Sequence, residues 1–240
     1  MADLAVITPS RDRPQQLAEL ELAIHTTAVG SAEIWVGLDS DDTADYWSAC
    51  RVVPAAFRVH AYRGERRSLS AWTNHLAQQA LDSADPPQYL ASLGDDHRPR
   101  GAWDRKLIEA IEALPGGVGI AYGNDLLAGP NLPTAWVVSA ELVRAVGWMM
   151  LPTCEHMYVD NAILELGRAA GCITYRPDVV IEHLHPLAGK GAWDDSYRAS
   201  NNAARYEADQ AAFEAWRVDG LASDAAKVKT MVDRLASRCR

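Results

Sequence analysis

Short apolar runs alternate with amphipathic stretches along most of the chain. Residues 4–8 (LAVIT) read as a strand ended by Pro9, and Pro14 opens a helix with Leu17, Leu20, Leu22 and Ile24 at helical spacing. Residues 33–38 (EIWVGL) form a second buried-type strand, which stops at the acceptor cluster Asp39-Ser40-Asp41-Asp42. Residues 57–62 alternate as a third strand, and 68–81 (SLSAWTNHLAQQAL) form a helix with Ser68 as its N-cap. Residues 89–93 are a short apolar strand, 103–114 a helix, Pro115-Gly116-Gly117 a turn, and 118–122 a further strand. Strands alternating with helices imply a mainly parallel sheet covered on both faces.

Beyond Leu132 the pattern is denser. Residues 134–139 read as a strand and 140–147 as a helix, followed by an irregular stretch, 149–158, rich in Met and aromatic side chains. A helix over 159–170 ends at Gly171, and two short strands, 172–175 and 179–183, flank Pro177. From Ala188 the composition shifts to a loop, GKGAWDD, and two polar, alanine-rich helices near 199–216 and 224–237. The division expected is a catalytic unit over 1–187 and a lid loop with a helical appendage over 188–240.

The chemistry concentrates where strands end. The stretch YLASLGDDHRPR, residues 89–100, delivers Asp95, Asp96 and His97 immediately after a strand and a breaking Gly94. On its own Gly-Asp-Asp is a turn signature. Two adjacent carboxylates repel, however, and a fold keeps them together most readily where a cation or a ligand's donors neutralise them. His183 and His185, two apart on a strand, point to one side and could complete such a site with Asp96. Carboxylates with an imidazole and no thiolate suit Mn²⁺ or Mg²⁺.

Composition narrows the class. At 240 residues the chain holds one full α/β domain, or one domain with a small addition. No apolar run is long enough to span a bilayer, and the first residues lack the pattern of a secretion signal, so the expected location is cytoplasmic, with no membrane partner. Cys50, Cys154, Cys172 and Cys239 show no metal or redox spacing and read as reduced structural thiols. A net charge of -9 disfavours broad attraction to nucleic acid, although arginines cluster at 63–67 and 98–105. Trp136 and Trp148 read as core. Trp193, in the glycine-rich loop, is a candidate lid residue able to stack on a sugar or a base.

Taken in order, these segments resemble the GT-A fold of nucleotide-sugar glycosyltransferases, in particular the family 2-like enzymes, over about residues 4–186. VITPSRDRPQQLAELELAI is similar to the family's first strand, nucleotide-contacting loop and helix, VGLDSDD to the second strand with its acidic residue, and RGERRSLSAWTNHLA to the segment that approaches the pyrophosphate. LASLGDDHRP resembles the DxD strand, and VDNAILELGRAAG with YRPDVVIEHLHP the segment of the catalytic base and late metal-binding His. Two departures stand out. Gly94 occupies the first DxD position, and Val159 rather than Glu precedes Asp160, with Glu155 further upstream.

The resemblance implies a donor site built from Thr8, Pro9, Ser10, Arg11, Asp39, Asp41, Arg67, Asn74, Asp95 and Trp193, and a cation, Mn²⁺ or Mg²⁺, held by Asp96 with His183 or His185. It implies Asp160, or else Glu155, as the base for an inverting transfer from a nucleotide sugar, UDP-sugars foremost. The acceptor is open; a hydroxylated base in viral DNA is one candidate, prompted by the arginine clusters. Oligomeric state is equally open. Two other readings keep the fold: a nucleotidyltransferase or pyrophosphorylase, disfavoured because TPSRDRP lacks a glycine-rich phosphate loop, and a non-catalytic binding module, for which Gly94 is the hint.

Overall fold

The computed structural model describes residues 3–49, 59–191 and 193–238. An eight-stranded sheet runs in the order β3-β2-β1-β4-β7-β6-β8-β5. Its strands are β1 (Leu4–Ser10), β2 (Ala32–Asp39), β3 (Val59–Gly64), β4 (Tyr89–Ser92), β5 (His97–Pro99), β6 (Ile120–Asn124), β7 (Trp136–Ser139) and β8 (Ile173–His183). Six strands point the same way; β7 opposes β4 and β6, and β5 opposes β8. The sheet is therefore mixed, with its parallel half on the N-terminal side. Residues 57 and 58 of the expected third strand, and Cys50 and Cys239, lie outside the described residues.

Period-two alternation along β1 sends Leu4 and Val6 to one face and Ala5 and Ile7 to the other, and both faces are covered. Helices α1 (Pro14–Thr27) and α4 (Trp103–Glu112) pack on the first face. On the second lie α3 (Leu69–Leu81), α5 (Ala140–Val146) and α6 (Val159–Ala170). A single turn, α2 (Tyr46–Ala49), follows β2. After β8 come α7 (Asp195–Ser200), α8 (Ala203–Asp219) and α9 (Leu221–Arg238). Phe213, Trp216, Val228 and Met231 of α8 and α9 are buried in the same core as Trp136 and Trp148, so these two helices share the main hydrophobic layer. No helix among the described residues is long and apolar enough to cross a membrane.

Two expectations need correction. Pro9 does not end β1, which continues to Ser10. Pairing with β4 stops at Ile7, so the missing N–H of Pro9 leaves no gap in a ladder. Nor does Pro177 split the last strand in two: β8 is one element whose register against β6 jumps from Gly123↔Arg176 to Asn124↔Val180, and the extra residues bulge out. Past the bulge β8 is free to pair with β5, setting His97 opposite His183. That pairing builds the site.

Caps follow the sequence. The Ser68 hydroxyl accepts from Ala71 N–H at the start of α3, an arrangement worth about 1 kcal/mol, and Gly147 and Gly171 close α5 and α6 in the left-handed conformation. The irregular stretch before α6 is held by side chains instead. Asn74 accepts from the N–H groups of Met149 and Met150 and donates to Met150 C=O, while the buried Asp209 of α8 accepts from Glu155, His156 and Met157 N–H at 2.7–2.8 Å.

Candidate active site

A cleft of about 730 Å³ opens at the carboxyl ends of β1, β2 and β4, the edge where ligands sit in open α/β sheets. Loop 155–158, the start of α6, the end of β8 and α7 complete its walls.

At the β2 end Asp39 is the hub. It is 4% exposed and accepts from Arg11 Nη1 at 2.8 Å, Trp72 Nε1 at 2.7 Å and the backbone N–H of Arg67 at 3.1 Å. Trp72 reaches it because residue 37 is glycine; a Cβ there would lie 2.8 Å from the indole ring. Arg11 also binds both oxygens of Asp41, at 2.7 and 3.1 Å. These hydrogen bonds, Asp41 first and Asp39 after it, raise the Arg11 guanidinium further above its ordinary range, against the opposing effect of burial.

At the β4 end the two carboxylates have different fates. Burial, then the neighbouring charge of Asp96, pushes Asp95 up to about 6, although Ser10 Oγ at 2.7 Å and Arg13 Nη1 at 3.2 Å donate to it. Burial acts the same way on Asp96, but the hydrogen bond from His183 and the charge of the nearby imidazoles outweigh it, and Asp96 stays well below the usual carboxylate range. His183 Nε2 lies 3.2 Å from Asp96 Oδ2, and Tyr197 OH donates to the same oxygen. Burial lowers the basicity of His183, yet Asp96 more than offsets it, and the net shift is upward. Tyr197 is in turn covered by the Arg13 guanidinium, 4.1 Å from its ring centre, and Arg13 is held bidentately by Asp194 at 2.7 and 2.8 Å.

Asp96, His97 and His183 bring ligand atoms within 4.8 Å of one another. The expected partner of Asp96 was His183 or His185; His183 is the one in contact with it, and a further imidazole, His97, stacks on His183 with ring centres 4.3 Å apart. His185 lies 5.0 Å from the His183 ring centre and packs edge-on to Tyr197 and Trp193. His97 has its own commitment, since its Nδ1 accepts from Gly94 N–H at 2.9 Å. That bond puts the imidazole proton on Nε2, a buried atom with no partner among the described residues, as is His183 Nδ1. Asp96 and His183 are thus the pair best able to hold an ion, in place of the proton they share. One carboxylate with imidazole nitrogen suits Mn²⁺ better than Mg²⁺. Gly94 fits this arrangement too: a Cβ there would stand 2.6 Å from Asp96 Oδ1, so a side chain at this position would displace the carboxylate.

Asp160 sits in the first turn of α6 and lines the cleft. Burial raises its carboxyl to about 7, the charge on His183 working against that rise. A group so poised is suited to taking a proton near neutrality. Glu155, the other candidate base, is 60% exposed and paired with Arg205 at 2.5 Å.

Of the other residues expected in the donor site, Pro9, Ser10, Arg11, Asp39, Arg67 and Asp95 line the cleft. Thr8 faces the core and is fully buried, Asp41 supports Arg11 from outside, and Asn74 lies away from the cleft with its amide committed to the backbone of 149–150. Trp193 is 44% exposed and stands over His185 and Tyr197 without lining the cleft. Sequence reasoning missed Arg13, His156, Asp194, Tyr197 and Arg205. Only the Asp-Arg-Pro run around Arg13 offered a local signal.

No protein-family model matches the chain, and no curated protein matches it either. Solved structures do. The mannosyltransferase PcManGT from Pyrobaculum calidifontis, in complex with GDP-Man and Mn²⁺, aligns over 98% of this chain and 75% of its own with TM-score 0.60 and 14% identity. S. aureus TarS 1-349 in complex with UDP-GlcNAc aligns over 98% and 72% with TM-score 0.64 and 9% identity. Glucosyl-3-phosphoglycerate synthase from Mycobacterium tuberculosis, in complex with Mn²⁺, UDP and glucosyl-3-phosphoglycerate, aligns over 83% and 78% with TM-score 0.53 and 15% identity. At such identities the likeness is one of architecture, and on that evidence the chain has the GT-A fold.

Proposed function

We propose that this protein is a metal-dependent glycosyltransferase that moves a sugar from a nucleoside diphosphate sugar to an acceptor hydroxyl. The observation that carries the reading is the meeting, in one cleft, of the Asp96–His183 pair with a carboxyl raised toward neutrality, Asp160. The solved structures of like fold hold GDP-Man, UDP-GlcNAc or UDP, and two of the three also hold Mn²⁺, in support of the same donor class.

Asp96 and His183 would hold the cation, Mn²⁺ by preference, with His97 beside them. Bound there, the cation supplies a Lewis acid that offsets charge on the leaving diphosphate. Ser10 and Arg13 keep Asp95 from spreading its charge into the site. The Asp39 hub fixes Arg11, Trp72 and the Arg67 backbone around the nucleoside end. Asp160 takes the acceptor proton as the hydroxyl oxygen attacks the anomeric carbon, the geometry of an inverting transfer. Glu155 is too exposed to share that role.

Thermal unfolding measured with UDP-, GDP- and dTDP-sugars tests the reading. Mn²⁺ with the right donor at a hundred times its Kd stabilises by about 2.7 kcal/mol, and Asp96→Ala removes the response. A full donor panel with no metal-dependent shift sinks the proposal.

A further inference from the structure

Loop 155–158 and the first turns of α8 form a wall of the cleft that the transfer chemistry does not use. Arg205 lines the cleft from α8 and pairs with Glu155 through Nη1. Its Nε, by contrast, is buried and has no hydrogen-bond partner among the described residues. Leaving a charged donor in that state costs about 1–3 kcal/mol, which a fold tolerates where a ligand supplies the missing acceptor. The Glu155 pair does not make good the loss. With its carboxylate 60% exposed, it is a surface ion pair worth about 1 kcal/mol or less, and an incoming anion competes with it readily.

His156 stands beside Arg205 on the same wall. Its backbone N–H is fixed by Asp209, whereas its imidazole forms no hydrogen bond among the described residues. Burial, then the charge of Arg205, pushes the ring down to about 4, so it faces the cleft as a neutral donor at physiological pH. Both side chains are held in place from behind. The three hydrogen bonds from loop N–H groups to Asp209 tie His156 to the helix that carries Arg205, one turn away. The loop runs directly into α6, and Asp160 lies four residues after His156. Asp160 and this wall line one cleft, so a single acceptor can reach both.

We infer that the acceptor carries an anionic group, a carboxylate or a phosphate, bound between Arg205 and His156 while its hydroxyl meets Asp160. The inference rests on the glycosyltransferase reading for the word acceptor, but not for the binding site. A guanidinium presents a planar fork that matches either oxyanion, and a neutral imidazole N–H adds a third donor. The donor's own phosphates have a separate claim on the cleft, at the cation that Asp96 and His183 would hold.

The test uses matched acceptors: glycerol against glycerate and glycerol phosphate, and glucose against glucuronate and glucose 6-phosphate, each with donor and Mn²⁺. At least one anionic member exceeds its neutral partner in kcat/KM by about 10–100-fold, the range for a charge-assisted hydrogen bond, and the carboxylate and phosphate arms say which oxyanion is preferred. Arg205→Gln erases that advantage mainly through KM, and Arg205→Lys recovers part of it. Calorimetry with glycerate and glycerol phosphate alone provides the second arm, in which the wild type binds and Arg205→Gln does not. Equal use of neutral and anionic acceptors, or no binding of either anion, overturns the inference. So does a loss of nucleotide binding in Arg205→Gln, which would give Arg205 to the donor. A protein that binds the anions but turns over no donor retains the subsite and loses the glycosyltransferase reading.

Discussion

At the β2 end of the cleft Asp39 accepts three hydrogen bonds from groups that are themselves packed or paired, whereas at the β4 end two adjacent carboxylates share space with imidazole nitrogens that have no partner among the described residues. Both ends are acidic and both lie after a parallel strand. They differ in whether the protein alone satisfies them. Asp39 is a finished piece of structure that presents Arg11 and Trp72 at fixed positions. At Asp96 the carboxylate is met by His183 and Tyr197, but the imidazoles beside it keep His97 Nε2 and His183 Nδ1 without a partner among the described residues, the condition expected of a site completed by a ligand. Preorganised recognition and cation chemistry thus occupy separate ends of one groove.

The largest effect that tests this contrast is catalytic. Asp160→Asn lowers transfer by about 10²–10⁴-fold, the usual contribution of a general base, while donor binding persists. The wild-type rate rises with pH through a limb near 7, the position to which burial brings Asp160, and a bound divalent cation shifts that limb to lower pH. Linkage gives stability the opposite trend. The folded chain binds more protons than the unfolded chain between the ordinary aspartate value and about 7, so stability falls as pH rises through that window, and Asp160→Asn flattens the fall. A pH–rate profile unchanged in Asp160→Asn would give the proton transfer to another group.

Stability separates the two ends next. Asp39→Ala takes from Arg11 one of its two carboxylates and leaves the buried Trp72 indole N–H and the Arg67 N–H without their acceptor, at a cost of about 3 kcal/mol in urea unfolding. Asp96→Ala takes the acceptor from His183 and Tyr197 but relieves Asp95 of a like charge, so it costs less, about 1–2 kcal/mol. Similar losses for the two variants would erase the distinction between a structural and a ligand-completed carboxylate.

The same distinction governs what the amino-acid sequence reveals. Helix α3 with its Ser68 cap, α6 with its closing Gly171, and the buried Trp136 and Trp148 were legible, because each depends on neighbours a few residues away. Asp95, Asp96, Asp39 and Asp160 were legible as acids at strand and helix ends. The His97–His183 pairing was not: β5 has three residues, too few for a periodic signal, and its partner lies 86 positions later across the bulge at Pro177. Arg13 is hidden in the same way, its bidentate partner Asp194 standing 181 residues downstream. Asn74 shows the converse error, a polar residue in a motif-like segment that serves only to pin a loop.

The smallest effect concerns Tyr197. Its hydroxyl donates to Asp96 Oδ2, the oxygen that also faces His183 Nε2, and α7 is fixed over the site by that bond and by Asp194 on Arg13. A cation taking its place between Asp96 and His183 competes with the tyrosine proton for that oxygen. Tyr197→Phe keeps the ring beneath Arg13 and deletes the competitor, so Mn²⁺ affinity rises, by about threefold to tenfold for the loss of one hydrogen bond of ordinary net strength. Trp193, whose ring centre is 6.0 Å from that of Tyr197, provides a fluorescence signal for the titration. Weaker Mn²⁺ binding in Tyr197→Phe would mean that the phenol supports the ion rather than excluding it, and α7 would then belong to the cation site as a permanent wall.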